Sequence, residues 1–90
     1  MIKVANSQIQ WVINTLKQLR DDEYSLLWSL CDDIEVNGHI IKIKSSTMFC
    51  YIILDNHYVC IRKGRLIIDT DGTKYYDSLD YVKSKLEKGV

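Results

Sequence analysis

The chain has 90 residues, of which 47% are hydrophobic and 27% charged, and its 12 basic side chains balance its 12 acidic ones. This length supports one hydrophobic core and excludes two independent domains, while the composition excludes an intrinsically disordered chain. The zero net charge argues against a dedicated, strongly basic nucleic-acid binder, although residues 36–90 carry nine basic and six acidic side chains and leave room for a local basic patch.

The cysteines and the N-terminal sequence indicate a soluble protein of the reducing cytoplasm. Cys31, Cys50 and Cys60 are odd in number and lack a Cys-x-x-Cys spacing, so neither a disulfide framework nor a zinc ribbon is predicted. Polar residues interrupt the N-terminal segment, and no apolar run approaches the length of a membrane span. We therefore expect no membrane association and no cofactor.

The N-terminal third of the chain predicts two helices. Polar residues 21–23 favour a break between them and a cap for the second helix, which would end near Cys31, although one longer helix is an alternative. The first helix would be capped by Asn6 or Ser7. Its apolar residues recur every three or four positions, as on one buried helix face: Ile9, Val12, Ile13, Leu16 and Leu19.

From residue 34 onward the apolar period changes to two, which predicts an antiparallel meander of five to six strands and an α+β fold. A C-terminal helix, capped by Asp77 or Ser78, is expected to pack on one face of this sheet. The predicted strands cover residues 34–36, 39–44, 47–55, 58–63, 65–70 and 73–77. The turn signals between them are Asn37-Gly38, Ser45-Ser46, Asn56-His57, Lys63-Gly64 and Asp71-Gly72.

If each turn is a two-residue loop, the alternation of side chains assigns every strand residue to one of two faces. The core face would contain Ile41, Ile43, Met48, Cys50, Ile52, Leu54, Val59, Ile61, Leu66, Ile68 and Tyr75. The opposite face would combine aromatic, aliphatic and basic side chains, with Ile40 beside Tyr51 and Ile67 beside Tyr76. A contiguous apolar patch with a basic margin often marks an interface, although a helix covering this second face, or simple pairing of aromatic residues between strands, would also explain it.

Residues Leu66–Thr73 resemble the first motif of the haloacid dehalogenase superfamily, in which a strand delivers Asp-x-Asp-Gly-Thr to the active site. The resemblance implies that Asp69 is a phosphorylated nucleophile and that magnesium is bound nearby. Only 19 residues follow Asp71, however, which leaves no room for the downstream motifs or for a crossover to a parallel strand. The segment is therefore interpreted as a hairpin turn.

Metal and cysteine chemistry are also disfavoured by the predicted register. Cys50 faces the core and Cys60 faces away from it, so the two cannot converge on one ion with His39 or His57. Buried free cysteines are the interpretation that we retain. No catalytic constellation is found, and the chain is expected not to be an enzyme.

We expect a small interaction module, such as an inhibitor, adaptor or regulatory accessory protein of the kind that viruses and mobile elements encode. The mixed face would dock onto a partner protein or a second copy of the chain, because Tyr and Arg often anchor interfaces. The alternative is a single-stranded nucleic-acid-binding domain that stacks bases on the same face. The residues expected to bind the partner are Lys42, Phe49, Tyr51, Tyr58, Arg62, Arg65 and Tyr76.

Overall fold

The computed structural model describes residues 1–21, 33–43 and 51–89. The N-terminal part contains β1 (Ile2–Val4), a short 3-10 helix (Asn6–Gln8) and α1 (Ile9–Asp21). The remaining elements are β2 (Ile34–Val36), β3 (His39–Ile43), β4 (Tyr51–Leu54), β5 (His57–Cys60), β6 (Ile67–Ile68), β7 (Lys74–Tyr75) and α2 (Ser78–Lys88).

The strands form two sheets rather than one. A five-stranded mixed sheet has the order β1-β2-β3-β4-β5, with β1 parallel to β2 and the other neighbours antiparallel. Strands β6 and β7 form a separate two-stranded antiparallel sheet. The α+β class is confirmed, but the prediction of a single antiparallel meander is wrong at both ends.

The sequence analysis missed strand β1, which lies parallel to β2. Ile2 pairs with Ile34 and Val4 with Val36, while Lys3 lies between them. Parallel strands need a long crossover, which α1 provides here. Three residues before a helix give too short an alternating pattern to indicate a strand, so the tertiary arrangement decides this pairing.

Among the described residues, the N-terminal region contains one helix rather than two. Helix α1 follows the 3-10 turn and ends at Asp21, at the start of the predicted break. The apolar face predicted for the first helix is buried as expected. The predicted second helix, ending near Cys31, lies outside the described residues.

Two reversals in the large sheet are two-residue loops with both central residues in the left-handed region. Asn37 and Gly38 have φ of 50° and 84°, and Asp55 and Asn56 have φ of 49° and 69°. Such type I′ turns match the natural twist of paired strands. The first loop has its predicted position, whereas the second lies one residue before the predicted Asn56-His57 turn.

The displaced second turn changes the pairing of β4 and β5 but not the face of each residue. Ile52 pairs with Val59, whereas a loop at Asn56-His57 would have placed Ile52 opposite Ile61. An offset of two residues preserves the alternation of side chains. The core positions predicted on these strands are therefore buried.

The pairing of β3 with β4 is also offset from the predicted register by an even number of residues. Ile41 pairs with Leu54, so the predicted neighbours Ile40 and Tyr51 do not face each other. Ile41, Ile43, Ile52 and Leu54 nevertheless contact the core as predicted, and His39, which was not predicted there, is buried as well. The Ser45-Ser46 turn lies outside the described residues.

The predicted hairpin at Lys63-Gly64 does not form. Gly64 has φ of 79°, but Lys63 is not among the residues with positive φ, which excludes both turn types that suit a two-residue hairpin. The chain leaves the sheet after β5 instead of pairing back along it. Leu66 and Ile68 are consequently 50% and 59% exposed rather than buried, and Ile67 packs against the core in their place.

The loop between β6 and β7 has three residues rather than two. The amide of Asp69 donates to the carbonyl of Thr73 at 2.8 Å, and the amide of Gly72, with φ of 87°, donates to the carbonyl of Asp69 at 2.9 Å. One extra loop residue shifts the register by one, so Ile67 pairs with Tyr75 rather than with Tyr76.

Both helices pack against each other and contribute to the single core that the inward residues of the large sheet complete. Helix α2 supplies the apolar stripe predicted from its sequence. The buried residues are Ile9, Val12, Ile13, Leu16, Leu19, Ile34, Val36, Ile41, Ile52, Leu54, Val59, Ile61, Leu79, Val82 and Leu86.

A buried arginine fixes the end of α1 to the start of α2. The side chain of Arg20 is 5% exposed, and its Nη1 donates to Oδ1 of Asp77 at 2.9 Å. The same carboxylate oxygen caps α2 by accepting from the amide of Leu79 at 2.9 Å. Asp77 therefore satisfies a helix terminus and a buried cation at once.

We expect Asp77→Ala to lower the free energy of unfolding by about 2 kcal/mol or more, because it removes a helix cap and leaves the Arg20 guanidinium without this partner. The measurement is urea denaturation at pH 7. Asp77→Asn is the matched control, since Asn caps helices as well as Asp does. If Asp77→Asn is as stable as the wild type, the charge on Asp77 contributes nothing, and if it loses as much stability as Asp77→Ala, the helix cap contributes nothing.

Candidate functional site

The outer sheet face, which points away from α1 and α2, carries Ile40, Lys42, Tyr51, Ile53 and Tyr58. Lys42 pairs with Ile53, and Ile53 pairs with Tyr58, so the side chains form a contiguous surface. The rings of Tyr51 and Tyr58 meet edge to face, with centroids 6.4 Å apart and an interplanar angle of 83°. Tyr58 is 71% exposed.

The seven residues expected to bind a partner are not all on this face. Lys42, Tyr51 and Tyr58 are brought together there. Arg62 and Arg65 are exposed in the segment that follows β5. Tyr76, 76% exposed, directly follows β7 of the separate two-stranded sheet and is not part of this face. Phe49 lies outside the described residues.

Among the described residues, β5 is an edge of the five-stranded sheet, and no described strand pairs with its outer side. The pair that flanks a two-residue loop, here Leu54 and His57, forms two backbone hydrogen bonds. Hydrogen-bonded and non-hydrogen-bonded pairs then alternate along the two strands. Val59 therefore bonds to β4. The backbone N–H and C=O groups of Tyr58 and Cys60 point outward, away from the sheet.

A groove of about 610 Å³ follows this open edge. The segment after β5 and Tyr81 of α2 also contribute to its lining. This volume lies in the range typical of ligand sites in proteins. The residues that line the groove are His57, Tyr58, Val59, Cys60, Arg65, Leu66, Ile67 and Tyr81.

The two edges of the sheet differ in how they are protected against further pairing. Natural edge strands commonly carry charged residues or proline, which discourage the addition of another strand. Strand β1 is only three residues long and has Lys3 at its centre. Strand β5, with the sequence His-Tyr-Val-Cys, carries neither an acidic residue, a lysine nor a proline.

A second cleft of about 380 Å³, which we call the polar cleft because several ionisable side chains line it, adjoins the groove and shares His57, Val59 and Tyr81 with it. Its ionisable groups come from three parts of the chain: the β3 and β5 ends of the sheet, the β6–β7 hairpin and α2. The complete lining is His39, Leu54, Asp55, His57, Val59, Asp69, Thr70, Tyr81 and Lys85.

A buried histidine and a turn aspartate form one side of the polar cleft. His39 is buried, and its Nδ1 donates to Oδ2 of Asp55 at 2.5 Å, while Oδ1 of Asp55 accepts from the amide of Ile40 at 2.9 Å. Partial burial opposes ionisation of Asp55, but these hydrogen bonds outweigh it and lower the pKa of the carboxyl group. Nε2 of His39 is buried and has no hydrogen-bond partner within the described ranges.

Asp69, the candidate nucleophile of the dehalogenase-like motif, belongs to the hairpin loop. Its Oδ1 accepts from the amide of Thr70 at 2.8 Å, and its Oδ2 lies 3.3 Å from Nζ of Lys85. The Thr70 amide, with the help of Lys85, holds the pKa of Asp69 below its usual value. Asp71 likewise accepts from the amide of Thr73 at 2.9 Å, so both carboxylates of the motif stabilise the turn.

Among the described residues, His, Cys, Asp and Glu side chains do not form a group of three or more that could hold a metal ion. Cys60 is half-buried and free. Cys31 and Cys50 lie outside the described ranges. Within those ranges, neither helix is long and apolar enough to cross a lipid bilayer.

No protein family matches this sequence, and neither a curated protein nor a solved structure shows significant similarity to it. The functional interpretation therefore depends on the geometry of the molecule.

The sequence analysis missed the groove because it paired β5 with the following segment. The sequence did contain a signal against this pairing, because type I′ loops favour Asn-Gly or Asp-Gly and Lys63-Gly64 is neither. It also missed the contact of His39 with Asp55. Asp and Asn both tolerate positive φ, so Asp55-Asn56 could have been predicted as the turn. That prediction would have placed the side chains of His39 and Asp55 at the same end of the sheet.

We expect the free energy of unfolding to fall less steeply at acidic pH in Asp55→Asn than in the wild type. Because the pKa of Asp55 is lower in the folded state, its contribution is fully present above the unfolded-state pKa of about 3.9 and is lost as the pH falls through the folded-state value. The free energy of unfolding should be measured by urea titration between about pH 6 and pH 3. Parallel curves for the two proteins would contradict the assignment.

Proposed function

We propose that this domain is a non-enzymatic protein-interaction module that docks through the outer sheet face and the adjoining edge of β5. The observation that carries the proposal is the contiguous, accessible surface of Ile40, Lys42, Tyr51, Ile53 and Tyr58 on the side of the sheet opposite the helices. Surfaces of this kind, apolar at the centre and charged at the margin, are typical of interaction sites.

The chemistry of this face suits a protein partner. Tyr58 offers a large, rigid and amphipathic surface, and its edge-to-face contact with Tyr51 restricts the movement of both rings. Lys42 lies beside them and would meet a carboxylate of the partner at the rim. The role remains that of an inhibitor, adaptor or regulatory accessory protein, with either another protein or a second copy of the chain as the partner.

Single-stranded nucleic-acid binding is the second candidate, favoured by the same Tyr51–Tyr58 pair and by Lys42. Bases can stack on exposed aromatic rings while basic side chains neutralise phosphates. The zero formal net charge argues against this function. The two functions differ in salt dependence, because phosphate binding releases counterions and weakens steeply as salt rises.

The test compares capture of proteins from the native cell by the wild-type chain and by the double variant Lys42→Glu, Tyr58→Ala. We expect the partner to be retained by the wild type and reduced at least tenfold by the double variant, because the variant removes an aromatic anchor and reverses a rim charge. Circular dichroism should show that the variant is folded.

Tyr76→Ala is the matched control, since it removes a similarly exposed tyrosine that directly follows β7, outside the five-stranded sheet. It should capture the partner as the wild type does. Undiminished capture by the double variant would contradict the assignment of the outer sheet face. Binding of a labelled oligonucleotide that is lost in the double variant and falls steeply with salt would favour the second candidate instead.

A further inference from the structure

We propose that the groove along β5 binds an extended, acidic segment of a partner protein, which adds to the five-stranded sheet as a sixth strand. This inference specifies the partner of the interaction module and therefore rests on the proposed function. Strand addition to an exposed sheet edge is a recurrent mode of peptide recognition, in which the backbone supplies affinity and alternate side chains supply specificity.

The backbone of β5 provides the first requirement. Tyr58 and Cys60 present outward N–H and C=O groups, whereas Val59 between them bonds to Ile52 of β4. An added strand can therefore form up to four backbone hydrogen bonds with these two residues. No described backbone hydrogen bond outside the β4–β5 ladder involves either residue.

The lining of the groove distinguishes a free segment from a second folded copy. The groove is lined by His57 to Cys60 of β5, by Arg65, Leu66 and Ile67 of the following segment, and by Tyr81 of α2. A segment bound along the edge would contact residues from all three parts of the chain. The edge of another folded sheet carries its neighbouring strand and loops with it, so a single extended chain fits among these residues better.

The lining also defines the composition of the segment. Val59, Leu66, Ile67 and Tyr81 offer apolar contacts, which suit apolar side chains at alternate positions of a strand. Arg65 is exposed, and the described residues that line the groove include no carboxylate. An acidic side chain opposite Arg65 is therefore expected between the apolar positions.

The experiment selects ligands from a displayed library of random octapeptides on the wild-type domain. Enriched peptides should alternate apolar residues with at least one Asp or Glu, and synthetic copies should bind in fluorescence polarisation. Amide exchange measured by NMR should slow at Tyr58 and Cys60 when the peptide is added. The absence of enriched peptides, or enrichment without acidic and alternating residues, would overturn the proposal.

Two substitutions at one position separate backbone recognition from side-chain recognition. Cys60→Pro removes the outward N–H but leaves the ladder with β4 intact, because proline is tolerated at the outward positions of edge strands. We expect it to weaken peptide binding at least tenfold, whereas Cys60→Ala, which keeps the N–H, should change binding less than threefold. Thermal unfolding of both variants monitors the fold.

The contribution of charge is tested with Arg65→Glu, which should weaken the binding of an acidic peptide at least tenfold. Arg65→Gln should weaken this binding to an intermediate extent. Equal binding to the wild type and Cys60→Pro would exclude strand addition. A dimer of the unliganded chain in light scattering that Cys60→Pro dissociates would show that a second copy occupies the edge instead.

The outcomes also separate this inference from the proposed function. Lys42 and Tyr51 belong to the outer sheet face and do not line the groove. If partner capture depends on Lys42 but not on the Cys60 amide, the interaction module stands and strand addition fails. If neither capture nor peptide binding responds to any of these changes, both proposals fail.

Discussion

The conformation of the backbone at the reversals is the constraint on which the rest of the structure depends. A two-residue connection between twisted strands requires a left-handed conformation at its first central residue. Turn types without this conformation force the two strands apart. Asn37-Gly38 and Asp55-Asn56 meet this requirement, and the ladders from β2 to β5 follow from them. Lys63-Gly64 does not meet it, and there the sheet ends.

The end of the sheet creates the candidate groove without exposing the core. Ile61, directly after β5, is fully buried, and Ile67 packs against the same core from the far side of the connection. These two anchors hold the intervening segment beside the edge of β5 without pairing to it. The residues of this edge thereby line the groove together with Arg65, Leu66 and Ile67.

Aspartates at the turns and at the start of α2 account for much of the local distribution of negative charge. Several aspartate carboxylates accept hydrogen bonds from backbone amides, which stabilises the turns. These carboxylates are then less available to bind a partner. The described residues that line the groove thus include Arg65 and no carboxylate, although the formal charge of the whole chain is zero. The bonds concerned are those from the amides of Ile40 to Asp55, Thr70 to Asp69, Thr73 to Asp71 and Leu79 to Asp77.

The sequence by itself determined the α+β class, the amphipathic faces of α1 and α2, and the inward residues of β3 to β5, because these depend on local periodicity. Inward positions such as Ile52 and Val59 survived errors in turn position, since each error moved the register by two or four residues. Only the tertiary structure decided the parallel pairing of β1, the departure of the chain after Ile61 and the three-residue loop before Thr73. Pairing between segments far apart in the chain depends on tertiary contacts that no local pattern encodes. The edge of β5 became a candidate site for the same reason: its neighbour along the chain was free to pair with it and packed against the core instead.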